Sequence, residues 1–475
     1  MERKSGVLMH ISSLFGDFSI GSFGEEAKYF IDFLKDCGFS YWQVLPFCMV
    51  DECNSPYKSY STFGGNPYFV DLNTLCKKEL ITEEELSEYR QQNPYVAEFV
   101  RLYHTRLEIL KKASMRVKNR DVIEKFIQKD AYLLKFCEFM ARKEANQQLP
   151  WWKWENDSID ENTLFMWKFI QYEFFTQWAE IKSYANERGI RVFGDIPIYV
   201  ALDSCDVWSN QSQYRLDKDG KPTWIAGVPP DYFCEDGQLW GNPIYDWNEM
   251  RKDGYRWWKD RISHMGKMFD AVRIDHFRAI ESYWAVPAEA ETAKEGHWEK
   301  GPGMELVNAM KEVAKTTEII AEDLGDITKE VVDLLDESGF PGMRVFQFGF
   351  LGDGDSTHKP HHYPANSVAY TGTHDNNTLL GYLWELDESR RREMLSYCGH
   401  TEQWESGCRS IIRTVFASHA NLVILPIQDL LGYGSDTRLN IPGKADGNWQ
   451  FRITKEQLDS IDRAWFRQLN QMYAR

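Results

Sequence analysis

The 475-residue chain carries 72 acidic against 55 basic side chains, a formal net charge of −17 that argues against a nucleic-acid or other polyphosphate partner. Hydrophobic residues make up 43% and charged residues 27%, an ordinary globular balance with enough apolar material for a large core in one elaborated domain or a few smaller ones. The nine cysteines show neither C-x-x-C pairs nor histidine spacing, which reads as free thiols in a reducing compartment.

The apolar stretch before Ser12 and Ser13 is too short for a signal peptide, and no run approaches a membrane span. A cytoplasmic protein with no membrane partner is expected. Aromatics are abundant, with 18 Trp, 23 Tyr and 28 Phe, many of them in loops rich in Gly, Pro, Asn and Asp. Rings placed there offer flat faces for the C–H faces of sugars.

Short apolar strands alternate with amphipathic helices along much of the chain, the pattern of a parallel sheet covered by helices. The first strand is read at 6–11, followed by a Gly-rich loop at 15–24. A helix at 25–37 stops at Gly38, and a second strand at 41–45 is closed by Pro46. Residues 54–68 are turn-forming and aromatic. Helices are expected at 83–89, 96–112, 121–146 and 161–185, so 48–188 reads as an inserted helical subdomain. A third strand at 191–195 ends in Asp195, and a second insertion at 199–250 is dominated by Trp, Tyr, Pro, Gly and Asp. A helix at 255–268 leads to the fourth strand at 271–275. Further strands follow at 318–322, 342–346, 367–371 and 421–425.

Eight strands with intervening helices predict a single catalytic (β/α)8 TIM barrel over 1–475, with large insertions after strands two and three. A doubly wound open sheet is the alternative, but no G-x-G-x-x-G follows the first strand. The residues after strand eight hold no candidate β-domain.

Functional groups of a barrel gather where strands end. Asp195, Asp275 and Glu322 close strands three, four and five, and His374 and Asp375 lie just beyond strand seven. Arg273 and Asp275 share one strand face, which by itself reads as a structural ion pair. Four converging acids repel unless something positive sits among them. Metal ligation is one resolution, but there is no histidine spacing of a zinc site and no carboxylate loop for calcium. A sugar oxocarbenium transition state is the other, and it suits the aromatic loops better. On that reading Arg273 stabilises ionised Asp275 as nucleophile. Glu322, desolvated near other acids, is the proton donor, while Asp375, His276 and His374 grip ring hydroxyls.

The motifs carry a family resemblance. Ser55-Pro56-Tyr57, Gly65-Asn66-Pro67, Gly194-Asp195, Trp240-Gly241-Asn242-Pro243, Arg273-Ile274-Asp275-His276-Phe277-Arg278, Ala321-Glu322-Asp323-Leu324-Gly325, Thr373-His374-Asp375 and Pro426-Ile427-Gln428-Asp429-Leu430 stand in order along the chain. Together with the loop from Gly227 to Phe233 and the stretch from Asn440 to Trp449, the sequence resembles the amylomaltases of glycoside hydrolase family 77, in the α-amylase clan. The resemblance covers almost the whole chain.

It implies a 4-α-glucanotransferase moving α-1,4-glucan segments from a maltodextrin donor to glucose or another maltodextrin by retaining double displacement. It further implies Asp275 as nucleophile, Glu322 as acid/base and Asp375 as transition-state stabiliser. Arg273, His276, His374, Tyr57, Asp195, Trp240, Asn242 and Asn376 would bind substrate. Asp231 and Tyr232 would lie near the tip of a flexible loop over the cleft. No cofactor or metal is implied, and a monomer or homodimer is expected. One departure is Phe451, where many members carry a second Trp. Two rival readings are a hydrolytic α-amylase-type enzyme and a catalytically silent glucan-binding protein.

Overall fold

The computed structural model describes residues 2–51, 53–230, 235–352, 354–444 and 446–475. Twelve strands are named in chain order: β1 (Lys4–Leu8), β2 (Tyr41–Gln43), β3 (Arg191–Pro197), β4 (Trp224–Val228), β5 (Gln238–Pro243), β6 (Ala271–Asp275), β7 (Ser282–Pro287), β8 (His297–Lys300), β9 (Glu318–Ala321), β10 (Gly342–Val345), β11 (Ser367–Tyr370) and β12 (Leu422–Pro426).

Eight of them form one all-parallel sheet in the order β10, β11, β12, β1, β2, β3, β6, β9, with helices between. This is a (β/α)8 TIM barrel. Its strands are buried almost throughout because both faces are covered, by the barrel interior and by the helices, and the polar residues they carry, such as Gln43, Asp195 and Arg273, are buried with them. Gly194 in β3 is needed for packing, since a Cβ there would lie 2.3 Å from the Phe269 ring.

The barrel closes differently from its other pairings. Between β9 and β10 the Ala321 N–H donates to the Pro341 carbonyl at 2.9 Å, and side chains do the rest. Asp323, just past β9, accepts from the Met343 N–H at 2.6 Å and from Arg344 at 2.8 Å. His358 Nδ1 accepts from the Val345 N–H at 3.1 Å. Met343 and Val345 are two residues apart, so both amides point away from β11, toward the seam.

The eight barrel strands fall where the sequence puts them, with ends shifted by up to three residues, the most at β1, expected at 6–11 and found at Lys4–Leu8. The helix expected at 121–146 is instead two, Asp121–Gln128 and Ala131–Ala145. Asp130 divides them by accepting from the Tyr132 and Leu133 N–H groups, an N-cap inside what reads as one periodic run. The region read as an aromatic loop contributes two strands, β4 and β5. They join β7 and β8, from beyond β6, in a four-stranded antiparallel sheet ordered β5, β4, β7, β8.

The helix Glu161–Glu187 binds the region between β2 and β3 to the barrel. Its Trp178 and Phe174 pack with Phe23 and Phe47 in one aromatic cluster that also takes in Phe69 and Phe269. The Trp178 indole N–H donates to the Met268 carbonyl at 2.9 Å.

Candidate active site

The site is built outward from β6. Its Val-Arg-Ile-Asp alternation puts Arg273 and Asp275 on one face, and the β3 register sets Asp195 directly beside Arg273. Arg273 is 4% exposed. It divides its donors, one nitrogen to Asp195 Oδ2 at 2.7 Å and the other to Asp275 Oδ1 at 2.5 Å. Asp195 Oδ2 also accepts from the Tyr57 hydroxyl at 2.6 Å. Burial pushes the Asp195 carboxyl above its ordinary range, with Arg273 opposing that shift.

Immediately after Asp275 the chain turns through His276, which sits in the left-handed region at φ 57°. A non-glycine residue held there costs about 1–2 kcal/mol, so its surroundings must over-determine it. Here the turn aims the His276 N–H at Glu322 Oε2, 2.7 Å away, while the Leu324 N–H donates to Oε1 at 2.7 Å. Both carboxyl oxygens of Glu322 are thereby fixed. Two further backbone bonds, Glu322 N–H to the Ile274 carbonyl and Phe277 N–H to the Glu322 carbonyl, extend the pairing of β6 with β9 past Asp275. Burial pushes the Glu322 carboxyl up to about 7; Arg273 works against that and the Asp275 charge adds to it. Burial likewise drives His276 down to about 4, so its ring is neutral at neutral pH.

Asp375 follows β11. Its Oδ1 accepts from Asn440 at 2.6 Å, its Oδ2 lies 3.3 Å from His374 Nε2, and its main-chain carbonyl accepts from Arg438 at 2.6 Å. Burial opposes its charge, but His374 and the Asn440 amide outweigh it and hold the carboxyl below the usual range. The His374 ring stacks on Tyr57 with centroids 5.1 Å apart and planes 15° off parallel. A continuous series of contacts therefore runs from Asp375 through His374, Tyr57, Asp195 and Arg273 to Asp275. The repulsion expected among the four acids is met by the Arg273 cation and by His374, whose protonation burial opposes and the Asp375 charge favours, the balance raising its pKa.

Asp275 opens into a cleft of about 750 Å³ lined also by Tyr57, Tyr199, Trp240 and Asn242. Trp240, on β5, is 36% exposed and meets the His276 ring edge to face at 4.8 Å. Asn242 donates to the Val200 carbonyl at 2.8 Å, fastening β5 to the loop that follows β3. Asn376 turns its amide oxygen back to Thr373, accepting from the N–H at 2.8 Å and the hydroxyl at 2.9 Å, so it shapes the loop that carries Asp375. Asp231 and Tyr232 lie outside the described residues.

Sequence reasoning missed three groups that bear on Asp375. Asn440 and Arg438 bond to it from beyond β12, and the Trp449 ring lies 6.0 Å from both Tyr57 and His374. Asn440 and Trp449 bound the last recognised stretch, but no spacing tells that Asn440 reaches back to Asp375.

With this geometry in hand the chain can be placed among known proteins. A family model for 4-alpha-glucanotransferase, glycoside hydrolase family 77, matches residues 9–458, a span containing every site residue named above. The chain belongs to this family. The curated 4-alpha-glucanotransferase of Streptococcus pneumoniae is 44% identical over 478 residues, covering 96% of this chain and 94% of that protein. That of Clostridium butyricum is 42% identical, covering 94% and 95%. Among solved structures, an amylomaltase from Streptococcus agalactiae in complex with acarbose superposes with a TM-score of 0.95 at 37% identity, covering all of this chain and 99% of that one. As a member of the 4-alpha-glucanotransferase family the chain is an enzyme, and Asp275, Glu322 and Asp375 stand together at the carboxyl ends of its barrel strands. Among the described residues no helix is long and apolar enough to cross a membrane.

Proposed function

We propose that the enzyme transfers α-1,4-glucan segments between maltodextrins by retaining double displacement, with Asp275 as nucleophile and Glu322 as acid/base. One observation carries this reading. The two carboxyls on adjoining strand ends are held in opposite electrostatic settings: Asp275 is charge-paired with Arg273 and opens to the cleft, whereas Glu322 is buried, fixed by two amides and pushed up to about 7. Neighbouring acids set apart in this way are what acid and nucleophile roles require.

In the first step Asp275 attacks the anomeric carbon while the Glu322 proton passes to the departing glycosidic oxygen, leaving a covalent glycosyl-enzyme. In the second, Glu322 as carboxylate takes the proton of the incoming sugar 4-hydroxyl, which displaces Asp275. Asp375, tied to Asn440 and His374, carries negative charge toward the oxocarbenium-like ring. Tyr57 and Trp240 supply faces for sugar rings along the cleft.

Incubation with maltotriose tests the assignment. A ladder of longer maltodextrins together with glucose is expected, and simple shortening would instead mark a hydrolase. Asp275→Asn should lower turnover by several orders of magnitude while glucan binding survives. Full activity in that variant would remove Asp275 from the role.

A further inference from the structure

The region between β2 and β3 does more than cover the barrel. Helix Ala131–Ala145 ends in a turn where Gln147 and Gln148 both adopt left-handed backbone, at φ 56° and 64°. Two successive non-glycine residues in that region are strained, and strain of this kind persists only where neighbours enforce it. The enforcing group is Lys143, 1% exposed. Its ammonium donates to the Gln148 and Leu149 carbonyls at 3.2 and 3.3 Å and to Asp203 Oδ2 at 2.5 Å, and it lies 4.7 Å from the centre of the Tyr60 ring.

Asp203 in turn accepts from the Trp151 N–H at 3.2 Å, and the Trp151 indole donates to the Leu202 carbonyl at 2.8 Å. Trp151 is wedged beneath Gly220, where a Cβ would lie 2.5 Å from its ring. One indole is thus spent as an anchor. Its neighbour Trp152, set at right angles to it, lines the cleft together with Gln148, Tyr60 and Asp203, and so does Asp275. A buried lysine, a strained turn and an anchoring indole thus hold one aromatic face, one amide and one carboxylate at the wall of the catalytic cleft. That combination of ring face and hydrogen-bonding groups is what a pyranose recognises.

We propose that Trp152, with Gln148 and Asp203, forms a further glucosyl-binding subsite, taking a ring of the glucan other than those flanking the cleaved bond. The inference rests on the glucan reading above and makes this turn a determinant of substrate length. Trp152 stacks on the sugar, while Gln148 and Asp203 bond its hydroxyls.

The test compares kcat/KM for maltotriose and maltoheptaose as donors, with labelled glucose as acceptor, in wild type, Trp152→Ala, Trp152→Leu and Trp152→Phe. The alanine variant should lose about tenfold on maltoheptaose, carried by KM, the size of one aromatic contact of ordinary strength. On maltotriose it should stay within about twofold of wild type. Phenylalanine should restore most of the loss. Leucine, which keeps apolar bulk without a flat face, should behave as alanine and decides the matter if the alanine variant does not fold. Equal losses at both lengths, or no loss at either, would overturn the subsite while leaving the transferase reading intact. A wild-type enzyme that builds no ladder from maltotriose would overturn the functional reading and this inference with it.

Discussion

Glu322 shows how finely a single carboxyl is committed. Both of its oxygens accept backbone N–H groups, so Glu322→Gln must leave the amide of His276 or Leu324 facing an NH₂ group at every pH. Superimposed on that constant cost is a pH-dependent term of opposite sign. The folded carboxyl sits at about 7, above its ordinary value near 4.5. Its contribution to stability is therefore complete in acid and is lost as pH rises through 7. The melting temperature of Glu322→Gln minus that of wild type should accordingly move in the variant's favour between pH 5 and pH 8; a pH-independent difference would show that Glu322 is ionised throughout. With Glu322 as the proposed proton donor, wild-type kcat/KM should fall above about pH 7 as that carboxyl loses its proton. At this scale the Arg273–Asp275 pairing was readable, because a two-residue spacing on a strand fixes a common face. The Tyr57–His374 stack and the Asn440–Asp375 bond were not, since they depend on where distant loops come to rest.

Strands ending in an acid were the readable elements, because an apolar run bounded by turn residues signals a buried strand and a barrel uses eight of them. The second sheet escaped for a physical reason. Its strands come from two separate insertions, its pairing is non-local, and β8 is exposed and polar, so no hydrophobic alternation announces it. The seam between β9 and β10 belongs to the same class of feature. Asp323, 7% exposed, stands in for a missing length of ladder by accepting from Met343 and Arg344. Asp323→Ala would orphan a buried amide and leave Arg344 without its carboxylate, a loss of about 3–5 kcal/mol. Urea unfolding should show it, and a cost below 1 kcal/mol would mean that the seam is held by packing alone.

For the molecule as a whole, the aromatic cluster around Phe47 decides how independent the inserted helices are. Phe47 lies 4.7 Å from Trp178, at right angles to it, and 5.2 Å from Phe269 just before β6. The helix Glu161–Glu187 is consequently part of the barrel wall, and cutting out everything between β2 and β3 would open the core. Phe47→Ala should cost about 3–5 kcal/mol and lower both barrel and insertion together in a single transition. Two separate transitions would show that the insertion folds by itself.

The seam has one more outcome, which concerns how the enzyme meets acid. A strand edge closed by another strand is indifferent to pH, but here Met343 and Val345 give their amides to Asp323 and His358. Burial, aided by the Arg344 charge, drives His358 down to about 4, while burial pushes Asp323 up. A depressed histidine contributes stability above its ordinary value near 6.5 and loses it as pH falls toward 4. Below that point Nδ1 is protonated and can no longer accept the Val345 amide. β10 then carries an unpaired Val345 N–H that a carbonyl of another strand can accept, including one from another molecule. Light scattering should therefore rise when the protein is held near pH 4 and stay flat near pH 7, making intermolecular strand addition at β10 an acid-specific route to aggregation.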